Sequence, residues 1–318
     1  MARAKNSAMS LAIKLFLAIL AIGLVVIIAA GVYVFLQLQN TAGKMYDSSF
    51  DSITSEFRDV EVNLSDGDAI SVAIFGTDSD ADRELQLRGD RSDTIIVVTL
   101  NPESDTGTIM SIPRDTQTTI AGIGSVEKIN HAHSYGGPTM ERDTVEGFLE
   151  VPIDYFVSVD MDGFMRIVDE LGGVTVTSND TFSINNYHFQ ANQTYNMTGE
   201  EALMYSRARK SAGSGGDFGR QARQQQVIQA MGNEIVGINT LTNFNSILEV
   251  LGDNVSTNVQ FSEVYSLSSK YQDAANNLEQ IELEGSGGIQ GDGLWYFVPY
   301  EESLNSARSI MRDNLNLN

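Results

Sequence analysis

A chain of 318 residues with 42% hydrophobic content and scattered glycine and proline can bury a full core, which excludes a disordered polypeptide and sets an expectation of one or two domains. A formal charge of −22 argues against nucleic acid as a partner, because a phosphate backbone needs a wide basic face. The absence of cysteine excludes a disulfide framework, a thiolate metal site and a thiol nucleophile, and suits a bacterial protein outside the cytoplasm.

Arg3, Lys5 and Lys14 precede 22 uncharged residues from Leu15 to Leu36. As a helix this run spans about 33 Å, enough for the bilayer core. The flank after it is mixed to acidic (Lys44, Asp47, Asp51, Glu56), so the positive-inside rule puts the N-terminus in the cytoplasm. Ala29-Ala30 resembles a signal-peptide cleavage site, but the apolar run continues through Leu36, which favours an anchor. The expected organisation is a cytoplasmic segment at 1–14, a transmembrane anchor at 15–38, a stalk at 39–68 and one extracytoplasmic domain at 69–318.

Within that domain, Ile70–Phe75, Thr94–Leu100 and Thr108–Ile112 read as buried strands rich in β-branched residues. Residues 139–149 read as helix, Tyr155–Val159 as strand, Phe164–Leu171 as a helix ended by Gly172-Gly173, and Val174–Thr177 as strand. Thr198-Gly-Glu-Glu201 is a capping box opening a short helix. Helices follow from about Phe218 to Ile238, over 262–280 and over 301–314, with Trp295–Val298 a late strand. Ser211–Gly216 and Glu284–Gly293 read as flexible loops. Alternating strands and helices predict a single three-layer α/β/α domain around a mixed sheet.

Residues 206–223 stand out against the acidic background. They hold Arg207, Arg209, Lys210, Arg220 and Arg223 against one acid, Asp217. A negative protein binds an anion only where cations are gathered locally, and arginine outnumbers lysine 14 to 6, which suits bidentate phosphate contact. Arg207 and Arg209 share a face only if the backbone there is extended. Arg220 and Gln224 share a helical face, whereas Arg223 falls about 100° away and is expected at the surface. Asp217 precedes the expected helix as an N-cap.

Strand ends are where α/β proteins place ligands. Asp78 and Asp93 fall at one sheet edge if the first two strands pair antiparallel. They then suit Mg²⁺, with turn residues satisfying local amides as the alternative. Arg114 follows Pro113 at the end of the third strand, either for an anion or simply paired with Asp115. His131, His133 and His188 do not have zinc-site spacing, and no nucleophile elbow or phosphate loop ending in Gly-Lys-Ser/Thr occurs.

The blocks Phe75-Gly-Thr-Asp78, Arg91-Ser-Asp93-Thr94, Ser111-Ile-Pro-Arg114-Asp115-Thr116, Lys128-Ile-Asn130 with Tyr135-Gly-Gly137, Asp162-Gly-Phe164 with Leu171-Gly-Gly-Val174, Gly199-Glu-Glu-Ala202 with Arg207-Ala-Arg209, and Asp217-Phe-Gly-Arg220 with Arg223-Gln224 occur in order over 69–240. Together they resemble the LytR-CpsA-Psr family. The resemblance implies an extracytoplasmic domain at the cell membrane, facing a Gram-positive-type wall. It would transfer a glycopolymer (teichoic acid, capsule or a related polysaccharide) from a polyprenyl-pyrophosphate carrier to peptidoglycan, with no nucleic acid involved. By the same resemblance Asp78 and Asp93 hold Mg²⁺. Arg91, Arg114, Arg207, Arg209 and Arg220 contact the pyrophosphate, with Asp217 and Gln224 orienting them. Asp93, Arg114 and Arg207 are the expected catalytic residues, Asp93 as the candidate general base. A hydrolase of the same lipid, or a non-catalytic lipid-phosphate-binding regulator, are the alternatives. The family often continues Gly-Thr-Asp-Ser with arginine, whereas Asp80 follows Ser79 here, leaving Arg83 or Arg88 as replacement.

Overall fold

The computed structural model describes residues 33, 36–41, 43–46, 55–58, 60–78, 90–209, 211–237 and 244–317. Most of the expected anchor, and with it Asp80, Arg83 and Arg88, lies outside these residues. No helix among the described residues is long and apolar enough to cross a membrane.

In chain order the elements are β1 (Ile70–Asp78), β2 (Arg91–Asn101), β3 (Thr106–Ser111), β4 (Gln117–Thr119), β5 (Val126–Lys128), α1 (His131–Leu149), β6 (Tyr155–Asp160), α2 (Met161–Glu170), β7 (Val174–Thr177), β8 (Phe182–Ile184), β9 (Tyr187–Phe189), β10 (Thr194–Met197), α3 (Gly199–Arg207), α4 (Gly216–Gly237), α5 (Phe244–Asn254), β11 (Val255–Thr257), α6 (Phe261–Lys270), α7 (Gln272–Asn276), β12 (Leu278–Ile281), β13 (Gly285–Ile289), β14 (Trp295–Pro299) and α8 (Glu301–Asn314).

Six strands form the central sheet in the order β11-β6-β1-β2-β3-β12. β6 runs parallel to β1 and β12 parallel to β3, while the other pairs are antiparallel. The sheet is mixed, as expected. Strand β2 reads as a continuous apolar run because both its faces are covered. Ile95 and Val97 pack with Val145 and Phe148 of α1 and Met311 of α8, while Ile96 and Val98 face Ile228 of α4. A second apolar cluster joins β7, β8, β9, α3 and α4 around Phe182, Phe189 and Tyr205.

Several elements differ from the sequence expectation. The helix expected from residue 139 begins at His131 and kinks, since Gly136 and Gly137 leave helical backbone and Pro138 follows; Gly137 has φ +65°, a conformation open to glycine. Residues 262–280 form two helices, and Leu278–Ile281 is an edge strand created by pairing with β3. The glycine-rich stretch after Glu284 is not a loop throughout: Gly285–Ile289 pairs antiparallel with β14.

Candidate active site

The site grows from an irregularity at the end of the β1–β2 pair. Gly76 faces Thr94, but the next pair is Thr77 with Ser92, so Asp93 is the extra residue of a β-bulge. A bulge interrupts the alternation of side chains and re-aims them. Ser92 donates its hydroxyl to the buried Glu141 on α1, whereas Asp93 and Thr94 both line one cavity of about 410 Å³. Thr94 Oγ1 accepts a hydrogen bond from Gln224 Nε2 of α4 at 3.0 Å.

Arg114, Arg207, Arg209 and Arg220 line the same cavity, with Met161 and Ile184 as its apolar members. Arg114 Nη1 donates to Asp93 Oδ1, and its Nε lies 3.8 Å from Asp115. Of the two readings open from the sequence, the tighter pairing is therefore with Asp93. Arg207 is the last residue of α3, and Ala208 turns the backbone extended (φ −61°, ψ 119°). That break allows Arg207 and Arg209 to serve one cavity.

Arg223 does not face solvent. It is fully buried and donates to the carbonyls of Tyr205 (Nε, 3.0 Å), Ala208 (Nη2) and Ser214 (Nη1, 2.9 Å), and to Asp180 Oδ2 (3.0 Å). Its guanidinium lies 4.5 Å from the centre of the Phe182 ring. Burial disfavours its charged form, and Asp180 acts against that. An angular position on a helix says nothing of what packs against it. Here the C-terminal carbonyls of α3, orphaned by the end of the helix, supply the partners. Ser214 also donates to Arg209 O at 2.9 Å, so the segment read as a flexible loop is bound to the arginine-bearing backbone after α3. Asp217 lies within the first turn of α4, which opens at Gly216, rather than ahead of the helix as a cap.

Arg91 lines a smaller cavity of about 110 Å³ with Asp115, Lys128 and Asn130. Asp93 and Arg114 line both cavities, so their ion pair is the shared wall. Asp78 faces Arg91 across the strand pair, which puts it at the same sheet end as Asp93. Among the described residues no group of three or more His, Asp or Glu gathers around a cation position. Asp78 and Asp93 thus stand at one sheet end, and carboxylates are the ligand type that a hard cation such as Mg²⁺ takes.

The histidines have structural partners. His133 Nδ1 lies 2.7 Å from Glu141 Oε2, and His131 Nδ1 lies 2.8 Å from Glu127 Oε2. Burial pushes the Glu141 carboxyl up, while hydrogen bonds from His131, Tyr135 and Ser125 bring Glu127 down to about 2. Sequence reasoning missed Glu141 altogether and gave Thr94 and Arg223 no supporting role, although Thr94 stands in the block around Asp93 and Arg223 in the basic stretch 206–223. A larger cavity, about 1080 Å³, lies at the other end of β1, where Glu56, Glu61, Asp66, Asp68 and Glu103 outnumber Arg58, Lys270 and Arg312.

The LytR_cpsA_psr family model matches residues 32–313. The polyisoprenyl-teichoic acid–peptidoglycan teichoic acid transferase TagU of Halalkalibacterium halodurans is 40% identical over 306 residues, covering 94% of this chain and 99% of the relative. The crystal structure of Bacillus subtilis TagU matches with a TM-score of 0.62 at 40% identity, over 78% of this chain and 97% of that one. A structure of TagT bound to LIIa-WTA matches with a TM-score of 0.66 at 28% identity, over 84% of this chain and 98% of that one.

Proposed function

The chain belongs to the LytR-CpsA-Psr family, and from that premise we propose that it is a transferase moving a teichoic-acid-type glycopolymer from a polyprenyl-pyrophosphate carrier to peptidoglycan, with the arginine cavity as the pyrophosphate clamp. One observation carries the reading. Arg114 after β3, Arg207 and Arg209 around the end of α3, and Arg220 on α4 meet in one cavity with Asp93 at its wall, in a protein of charge −22.

The chemistry is a phosphoryl transfer. A peptidoglycan hydroxyl oxygen attacks the phosphorus that carries the glycan and forms a new P–O bond. The P–O bond to the lipid phosphate breaks, polyprenyl phosphate leaves, and the hydroxyl proton passes to Asp93. Guanidinium groups fixed in place before the reaction stabilise charge on the non-bridging and leaving oxygens at no reorganisation cost. Gln224 is held by Thr94, and Arg207 and Arg209 by the Arg223 network, so the clamp is pre-organised. Arg91 approaches from the smaller cavity, and Asp217, in the first turn of α4, would orient the arginines. Mg²⁺ held by Asp78 and Asp93 would neutralise charge on the pyrophosphate. The run at 15–38 anchors the domain outside the cytoplasm, beside its lipid-borne donor.

The test is transfer by the full-length protein carrying Arg114→Ala or Arg207→Ala. Losing one such donor lowers kcat by roughly 10²–10³, with circular dichroism and melting unchanged. Near-normal transfer by both variants removes the clamp assignment.

A further inference from the structure

Next to the arginine cavity, and sharing Asp93 and Arg114 with it, lies the smaller cavity, with Asn130, Lys128 and Asp115 as lining that the clamp does not use. We propose that the small cavity beside Arg91, together with the aromatic hairpin β13–β14 at its edge, seats the acceptor glycan strand. Its hydroxyl enters at Asn130 and its sugar rings stack on Trp295 and Tyr135. The inference rests on the transferase reading above.

Four observations carry it. In-line displacement puts attacking and leaving oxygens on opposite sides of the phosphorus. With the pyrophosphate in the arginine cavity, the acceptor needs a separate approach to the phosphorus, and the second cavity, which shares Asp93 and Arg114, offers one. At about 110 Å³ that cavity takes a hydroxymethyl group rather than a whole sugar.

Asn130 lines this cavity and is only 4% exposed. Its Nδ2 donates to Ser92 O at 3.2 Å, which fixes the amide orientation, while its buried Oδ1 has no hydrogen-bond partner. A buried acceptor left unsatisfied is costly. An incoming hydroxyl satisfies it, within reach of Asp93 on the same wall.

The hairpin is tied to the site through backbone. Phe297 N donates to Asp115 O at 2.9 Å, and Thr116 and Phe297 form a parallel bridge. Trp295 is 39% exposed and Tyr135 is 51% exposed. A side chain at Gly287 would meet the Trp295 ring at 2.1 Å, so glycine lets the indole lie against β13 with one face covered. Such half-covered aromatics, apolar on the face and wet at the rim, suit sugar rings, which present C–H groups on their faces and hydroxyls at their edges.

The rim supplies hydroxyl partners. Glu127 accepts from Tyr135 Oη at 2.7 Å, and Asp292 accepts from Tyr296 Oη at 2.7 Å. Lys128, bonded to Asp115 at 2.7 Å, lies 5.8 Å from the centre of the Tyr296 ring.

Trp295 is the chain's one tryptophan, so its selectively excited fluorescence reports on the subsite directly. The full-length protein in detergent is titrated with N-acetylglucosamine–N-acetylmuramic acid oligomers. The expected result is a saturable change in emission, with the midpoint raised about tenfold by Tyr135→Ala. In transfer assays Trp295→Ala raises KM for the oligomers about tenfold and leaves the donor KM unchanged. An unchanged emission while the same oligomers are glycosylated overturns the proposal. So does a change caused only by the lipid-linked donor. Saturable emission changes without any transfer support the subsite while removing the transferase reading on which its acceptor role rests.

Discussion

Replacing Arg223 by methionine keeps the apolar stem and removes the guanidinium that binds three carbonyls and Asp180. Each buried carbonyl left without a donor costs about 1–3 kcal/mol. Asp180 is 31% exposed in its side chain and regains water, so it adds little. Relief from burying a cation offsets part of the loss, and breaking a buried network of this kind costs about 3–5 kcal/mol net. At roughly 2–4 °C per kcal/mol for a domain of this size, Tm falls on the order of 10 °C. Because Ala208 separates Arg207 from Arg209, the same change loosens the clamp and lowers transfer even well below the new Tm. Urea denaturation and transfer rates at low temperature measure the two effects separately. A stability loss under about 1 kcal/mol with transfer unaltered would refute the view that Arg223 organises the site.

Glu127 gives a pH test. Hydrogen bonds led by His131 hold its carboxyl at about 2 against an ordinary 4.5. A depressed carboxyl contributes stability that is complete above its unfolded value and is lost as pH falls through the folded one. The stability gap between wild type and Glu127→Gln should therefore be constant above about pH 5 and close between there and pH 2, as read by chemical denaturation. For the metal, Asp78→Asn and removal of Mg²⁺ by chelation should each depress transfer, and the variant should need more Mg²⁺ for half-maximal rate; transfer indifferent to both would remove the metal assignment.

The parts of this site legible in the sequence were those that depend on local composition. The basic stretch 206–223 stands out because the rest of the chain is acidic. The strands that carry Asp78 and Asp93 and lead to Arg114 stand out as β-branched runs, β2 most of all because it is buried on both faces. The bulge at Asp93 was not legible, since it is a property of the pairing between two strands rather than of either one. Arg223 was misread for the same reason: its partners are backbone carbonyls on another helix and a loop. β12 and β13 were missed because Leu-Glu-Gln-Ile and a glycine-rich run lack strand propensity, and their strand state comes from the neighbours β3 and β14.

The most direct measurement is the identity of the product. Full-length protein receives a synthetic polyprenyl-pyrophosphate-linked oligosaccharide, Mg²⁺ and peptidoglycan oligomers, and the mixture is read by mass spectrometry with Arg207→Ala as control. The account predicts a glycan–phosphate–peptidoglycan conjugate, one polyprenyl phosphate released for each, and loss of both in the control. Free glycan phosphate with unmodified peptidoglycan, or bound lipid with no turnover, would contradict it.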